Sequence, residues 1–166
     1  MRKLFAYILG TVMSIMVVFF VVGLVAPKEY TGSKTAQISA PPSRVWAVLT
    51  DIDSLPKNRP EIARVEVLEK DGPRAKKWIE HTDMDGFIVF ERVEEIQNKK
   101  LVLKMVESSF GMTGTWTYEL SGNEMTQVTV KENSQIASVP LRAAMTLMGR
   151  DANLKKEIQI INKAAQ

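Results

Sequence analysis

The chain of 166 residues has no cysteine and one histidine, His81. Without cysteine there are no disulfides and no thiolate metal sites, although a chain of this size folds without such staples in any compartment. With one histidine, a zinc centre built from several imidazoles is excluded. The sequence also lacks a phosphate-cradling glycine loop, a nucleophile elbow and the HExxH pattern, so the enzyme classes that depend on them are excluded too. No cofactor is expected and no metal site.

Charge is also missing where it matters most. From Leu4 to Ala26 there is no charged side chain, and the run lies between Arg2/Lys3 and Pro27-Lys28-Glu29. As a helix rising about 1.5 Å per residue it reaches about 35 Å, enough for a hydrocarbon core of about 30 Å. A cleaved secretion signal is the competing reading. The run exceeds the usual apolar region of about 7–15 residues, and a cut after Ala26 would leave Pro27 first, so an uncleaved anchor is expected. Arg2 and Lys3 place the N-terminus in the cytoplasm and the remainder outside it.

The net charge of +3 comes largely from this end. Of 22 basic and 19 acidic residues, Arg2, Lys3, Lys28 and Glu29 belong to the anchor and its flank, and the rest nearly balance. Acids are interspersed among the bases from Glu61 to Glu95, so no basic stripe for a polyanion exists and nucleic acid is not an expected partner. The expected organisation is a transmembrane anchor over 1–27, a linker over 28–34 and one domain over 35–166.

Thr35 to Ser39 reads as an edge strand. Pro41-Pro42-Ser43 opens a helix whose buried stripe is Val45, Trp46, Val48 and Leu49, since proline is tolerated where first-turn N–H groups lack partners. Asp51, Asp53 and Pro56 end it and begin a second short one. From Ile62 to Ser134 the apolar residues alternate in about six strands, with reversals at Asp71-Gly72, Asp85-Gly86, Asn98-Lys99 and Gly122-Asn123. Beyond Pro140, apolar residues recur at helical spacing to Ala164, which predicts one long amphipathic helix with Gly149 as its weak point. The fold class is α+β, with a curved antiparallel sheet of about seven strands wrapped around a long C-terminal helix and one transmembrane helix in front.

The segment Ile38, Ala40, Pro41, Pro42, Val45, Trp46, followed by Thr50, Asp51, Leu55 and Pro56, resembles the opening of the SRPBCC superfamily, also called START-like or polyketide cyclase/dehydrase-like. Gly114 to Tyr118 and Thr129 to Glu132 are similar to its central and late strands. One departure is Asn58, where many members carry an aromatic. The resemblance implies a helix-grip fold and a hydrophobic small molecule or lipid bound between sheet and helix.

Strand parity names the residues that would face such a cavity. The apolar phase holds Trp78, Phe87, Val89, Leu101, Leu103, Met105, Trp116, Tyr118, Leu120, Val128 and Val130. The same phase carries Glu80, Glu91, Glu107 and Glu132, which need partners if buried; Arg142 and Arg150 of the last helix are the available bases. The ligand-contacting set expected is Trp78, Glu80, Phe87, Val89, Glu91, Leu103, Met105, Trp116, Tyr118, Val130, Glu132 and Arg142, with Met145 and Met148 among the methionines able to adapt to varied ligands. Met105, Met112 and Met125 extend that group. His81 has the opposite parity and reads as a surface residue, or as a general base if a bulge turns it inward. A membrane-anchored binding protein for a lipid or quinone is the leading expectation. The alternatives are a cyclase or dehydratase using Glu80, Glu91 or Glu132, and an interaction module whose cavity is filled.

Overall fold

The computed structural model describes residues 2–166. Each expected reversal is made by a residue at positive φ: Gly72, Asp85, Asn98 and Gly122. A further reversal, at Ser109–Gly111 with Gly111 at φ 70°, carries no Asp-Gly or Asn-Gly signature. These turns connect β2 (Ile62–Asp71), β3 (Arg74–Thr82), β4 (Phe87–Ile96), β5 (Lys100–Ser108), β6 (Met112–Gly122) and β7 (Thr126–Ile136) into an antiparallel meander.

β1 (Glu29–Ile38) completes the sheet by pairing antiparallel with β7, giving the order β1-β7-β6-β5-β4-β3-β2. The segment expected as a linker over 28–34 is therefore mostly strand: Glu29 opposes Gln135, and Lys34 opposes Val130. Its alternation of polar residues gave no apolar phase, because only its last residue, Ile38, is fully buried.

α1 (Arg2–Val25) precedes the sheet and is, among the described residues, the one helix long and apolar enough to cross a membrane. Between β1 and β2 lie α2 (Pro42–Thr50), a short 3-10 turn at Ile52–Ser54 and α3 (Leu55–Asn58). Asp51 ends α2 and caps the turn, its carboxylate accepting from the Ser54 backbone N–H and hydroxyl.

The expected single C-terminal helix is two helices. α4 (Val139–Met148) stops at Gly149, whose φ of 90° and ψ of 125° leave the helical region, and α5 (Ala152–Ala165) restarts beyond it. The break lets each piece bury its own face against a different partner. α5 packs Leu154, Ile158 and Ile161 into the main core with Val45, Trp46, Tyr118 and Val130. α4 instead lies against the end of α1, where a Cβ on Gly23 would overlap the Val139 carbonyl. Its inner face adds Met145, with Leu141, to a second cluster around Met105, Met112 and Ile136.

Candidate functional site

Between the sheet and α5 lies a cleft of about 260 Å³. Its apolar wall comes from Ile88 and Phe90 of β4, Leu103 and Met105 of β5, and Met112 and Trp116 of β6. Arg59, Glu80, Tyr118 and Glu157 give it one polar end, and Glu61, Asn153 and Lys156 edge its opening. A wider recess of about 390 Å³ lies beside Lys28, Glu107 and Gln135, away from the sheet–helix interface, and none of the buried ionisable side chains lines it.

The polar end is built around Glu157. Arg59 Nη2 donates to both of its carboxylate oxygens, at 2.6 and 2.7 Å, and the Tyr118 hydroxyl donates to Oε1 at 3.0 Å. Burial lowers the affinity of the Arg59 guanidinium for its proton, but the charge and hydrogen bonds of Glu157 more than reverse this, so its pKa is raised. Burial, then the nearby Glu157 charge, pushes the Tyr118 phenol well up, and it stays a neutral donor.

Glu80 lines the same cleft at 8% exposure and accepts a hydrogen bond from Trp78 Nε1 at 3.0 Å. Its pKa is raised, mainly by burial, against the opposing pull of the Trp78 N–H and Arg59. Glu132, fully buried outside the cleft, is shifted in the same direction by burial, against a hydrogen bond from the Ser134 hydroxyl at 2.9 Å and the charge of Arg150.

A raised acid pKa in the folded state means that folding takes up protons. The resulting stabilisation is complete below the ordinary carboxylate range and is lost as pH rises through the folded pKa. Glu80→Gln is therefore expected to melt higher than the parent at pH 8, with the difference shrinking to zero or reversing near pH 4. Paired thermal melts across that range check it, and a pH-independent difference would contradict the assignment.

Five of the expected ligand contacts line this cleft: Glu80, Leu103, Met105, Trp116 and Tyr118. Trp78 stacks on Phe90 with ring centroids 5.8 Å apart, behind the wall rather than in it. Val130 is core, Met145 belongs to the second cluster, and Met148 is 67% exposed. Met125 is exposed in the β6–β7 turn.

The parity expected for β4 is reversed. Phe87, Val89 and Glu91 pair with His81, Ile79 and Lys77 on the outer face, while Ile88 and Phe90 face the cleft. Phe-Ile-Val-Phe is apolar in both phases, so alternation alone selects neither. Glu107 also turns outward, because the pairing skips Val106 between Met105 and Glu107 and a bulge inverts the phase. His81 stays on the outer face, 3.1 Å from Glu66.

Neither arginine expected to meet the acids forms an ion pair with one, although the charge of Arg150 reaches Glu132. Arg142 donates to the carbonyls of Gly23, Ile136 and Ala137, and Arg150 to those of Pro27 and Glu29. The base at the polar end of the cleft is Arg59, which follows Asn58 at the end of α3, and its partner is Glu157. Glu157 had a signal: it falls on the same stripe of α5 as Leu154, Ile158 and Ile161. Arg59 had none, since its position follows from the path of a short irregular connection.

Residues 31–159, which form this curved sheet and most of its closing helix, match in sequence the model of the polyketide cyclase/dehydrase and lipid transport family. The chain belongs to this family. Solved structures share the fold at low identity. A START superfamily protein from Mycobacterium smegmatis aligns at 14% identity and TM-score 0.66, covering 81% of this chain and 96% of its own. The Zhui aromatase/cyclase of a Streptomyces species aligns at 15% and 0.68, covering 82% and 93%. A conserved protein from Geobacillus kaustophilus aligns at 15% and 0.69, covering 82% and 95%. No curated protein sequence matches the chain. The family supports a domain that binds a hydrophobic ligand or acts in the manner of a cyclase.

Proposed function

We propose that the protein is a membrane-anchored carrier or receptor that holds a small hydrophobic molecule in the cleft between the sheet and α5. The observation that carries this reading is an open cleft whose walls are apolar and whose one polar end is self-neutralised. Arg59 and Glu157 cancel each other, Tyr118 is neutral, and Glu80 is biased toward its neutral acid form. Such an end suits a hydroxyl or carbonyl head and offers no spare charge for a strongly ionic one.

The volume, about 260 Å³, falls near the low end of ligand pockets, which favours a single chain or ring system such as a quinone head or a fatty alcohol. Burying about 200 Å² of apolar ligand surface contributes about 5 kcal/mol at about 25 cal/mol per Å². α1 supports the anchor: its last turns are part of the packed domain, with Gly23 and Ala26 buried and the Gly23 carbonyl holding Arg142. The expected topology places the N-terminus in the cytoplasm and the domain outside.

Among the chain's three tryptophans, only Trp116 lines the cleft, so it reports on occupancy. A brominated fatty alcohol titrated into the full chain in detergent should quench part of the tryptophan emission saturably, and Trp116→Phe should remove most of that part, Trp78 behind the wall supplying the remainder. Saturable quenching undiminished by Trp116→Phe would contradict cleft binding.

A cyclase-like reading is favoured by one observation. Glu80 is a buried acid of raised pKa in the cleft, close to what a general acid requires. Glu91 and Glu132, which lie outside the cleft, do not support it.

A further inference from the structure

The placement of α4 carries a consequence for how the domain meets the bilayer. With the charge-free run Leu4–Ala26 centred in a core of about 30 Å, Gly23 lies about 12 Å from the midplane, just inside the hydrocarbon boundary. Pro27 lies about 18 Å out, just beyond it. α4 is tied to both levels. Its first residue, Val139, packs on Gly23, while Arg150, two residues past its end, donates to the Pro27 carbonyl at 2.7 Å. α4 is therefore held beside the last turns of α1, near the depth of the lipid headgroups.

Its inner side is occupied by Arg142, Ala143 and Met145, which are buried, while Leu147 and Met148 project outward at 65% and 67% exposure. The same end of the sheet carries one end of the cleft wall. Met112 opposes Ile136, and the Ile136 N–H donates to the Lys28 carbonyl immediately after the anchor. Thr82 and Ile88, which flank the β3–β4 turn, also line the cleft.

We infer that α4 is an interfacial helix whose Leu147 and Met148 contact the acyl boundary of the bilayer, so that the domain is seated on the membrane with the Met112 end of its cleft nearest lipid. The occupant of this face is lipid, because the face is continuous with a helix already in it. The inference rests on the anchor reading of α1 and is independent of what fills the cleft.

The absence of cysteine makes the test direct. Single replacements Leu147→Cys, Met148→Cys, Val17→Cys and Met125→Cys place a nitroxide label at exposed positions of the full chain. Vesicles of three parts phosphatidylcholine to one part phosphatidylglycerol provide the bilayer. Met125 lies in the β6–β7 turn, about 35 Å away along β7, and serves as the aqueous reference. Power saturation against oxygen and a water-soluble nickel chelate should show oxygen-dominated relaxation at 147 and 148, with nickel access reduced several-fold relative to 125. Val17 should be the most lipid-like. If 147 and 148 relax like 125 while 17 relaxes as lipid-buried, the inference falls and the anchor stands. If 17 is also water-accessible, the anchor reading falls and takes this inference with it.

Discussion

Glu157→Gln is expected to lower the stability of the chain by about 3–5 kcal/mol, the cost of leaving a buried charge without its counter-ion. The side chains of Arg59 and Glu157 are only 22% and 11% exposed, so little solvent is available to replace the lost carboxylate. The amide keeps one acceptor oxygen but loses the charge, and Arg59 Nη2 and the Tyr118 hydroxyl then compete for it. For a domain with an unfolding free energy of about 5–15 kcal/mol, that is a large share. Arg59→Met with Glu157→Leu should recover most of the loss, because removing both charges also removes their desolvation cost. The double variant should bind a brominated alcohol less well than the parent despite its stability, since the polar end of the cleft keeps only Glu80 and Tyr118. Denaturant unfolding of the parent, Arg59→Met, Glu157→Leu and the double variant completes a double-mutant cycle. A coupling near zero would mean that the pair is solvated in solution.

Arg142→Met is expected to cost about 3 kcal/mol by a different route. Arg142, at 3% exposure, meets no carboxylate. It donates to three carbonyls, Gly23 at 2.8 Å and Ile136 and Ala137 at 3.0 Å each, and so joins α1, β7 and α4. Each acceptor left dry costs about 1 kcal/mol or more. The Gly23 carbonyl also lies in the last turn of α1, where a cation is favoured by the helix dipole. Arg142→Lys should recover only part of the loss, because an ammonium does not reproduce the planar fork. Ligand affinity should be unchanged in both variants, since Arg142 does not line the cleft. That differs from the expectation from sequence, in which Arg142 belonged to the ligand-contacting set.

The contrast between these arginines shows what the sequence carried. Alternation and turn chemistry located the sheet because each reversal needs a positive φ that few residues supply. Asp85 and Asn98 are at φ 54° and 58°. Parity assigned the inner faces of β5 and β6, where one phase is plainly apolar. It failed on β4, where both phases are, and at Glu107, where a bulge changes the count. The break at Gly149 was visible only as a weakness. Whether a glycine ends a helix depends on what each half packs against, and α4 has α1 as its partner. The cleft's base was not legible at all, because pairing Arg59 with Glu157 joins residues far apart in the chain through an irregular connection. Composition, which balanced the charges of the domain, gave no hint of which two are buried together.

The most direct test of the hydrophobic cleft is native mass spectrometry of the full chain extracted from its membrane in a mild detergent and released from the micelle. The expected spectrum shows a protein peak with a resolved adduct of one small lipophilic molecule, and Leu103→Trp, which fills the wall of the cleft, removes the adduct while leaving the charge-state distribution of the folded protein unchanged. A parent protein that is folded and adduct-free, and that takes up no quinone or fatty alcohol when either is added in excess, would contradict the account.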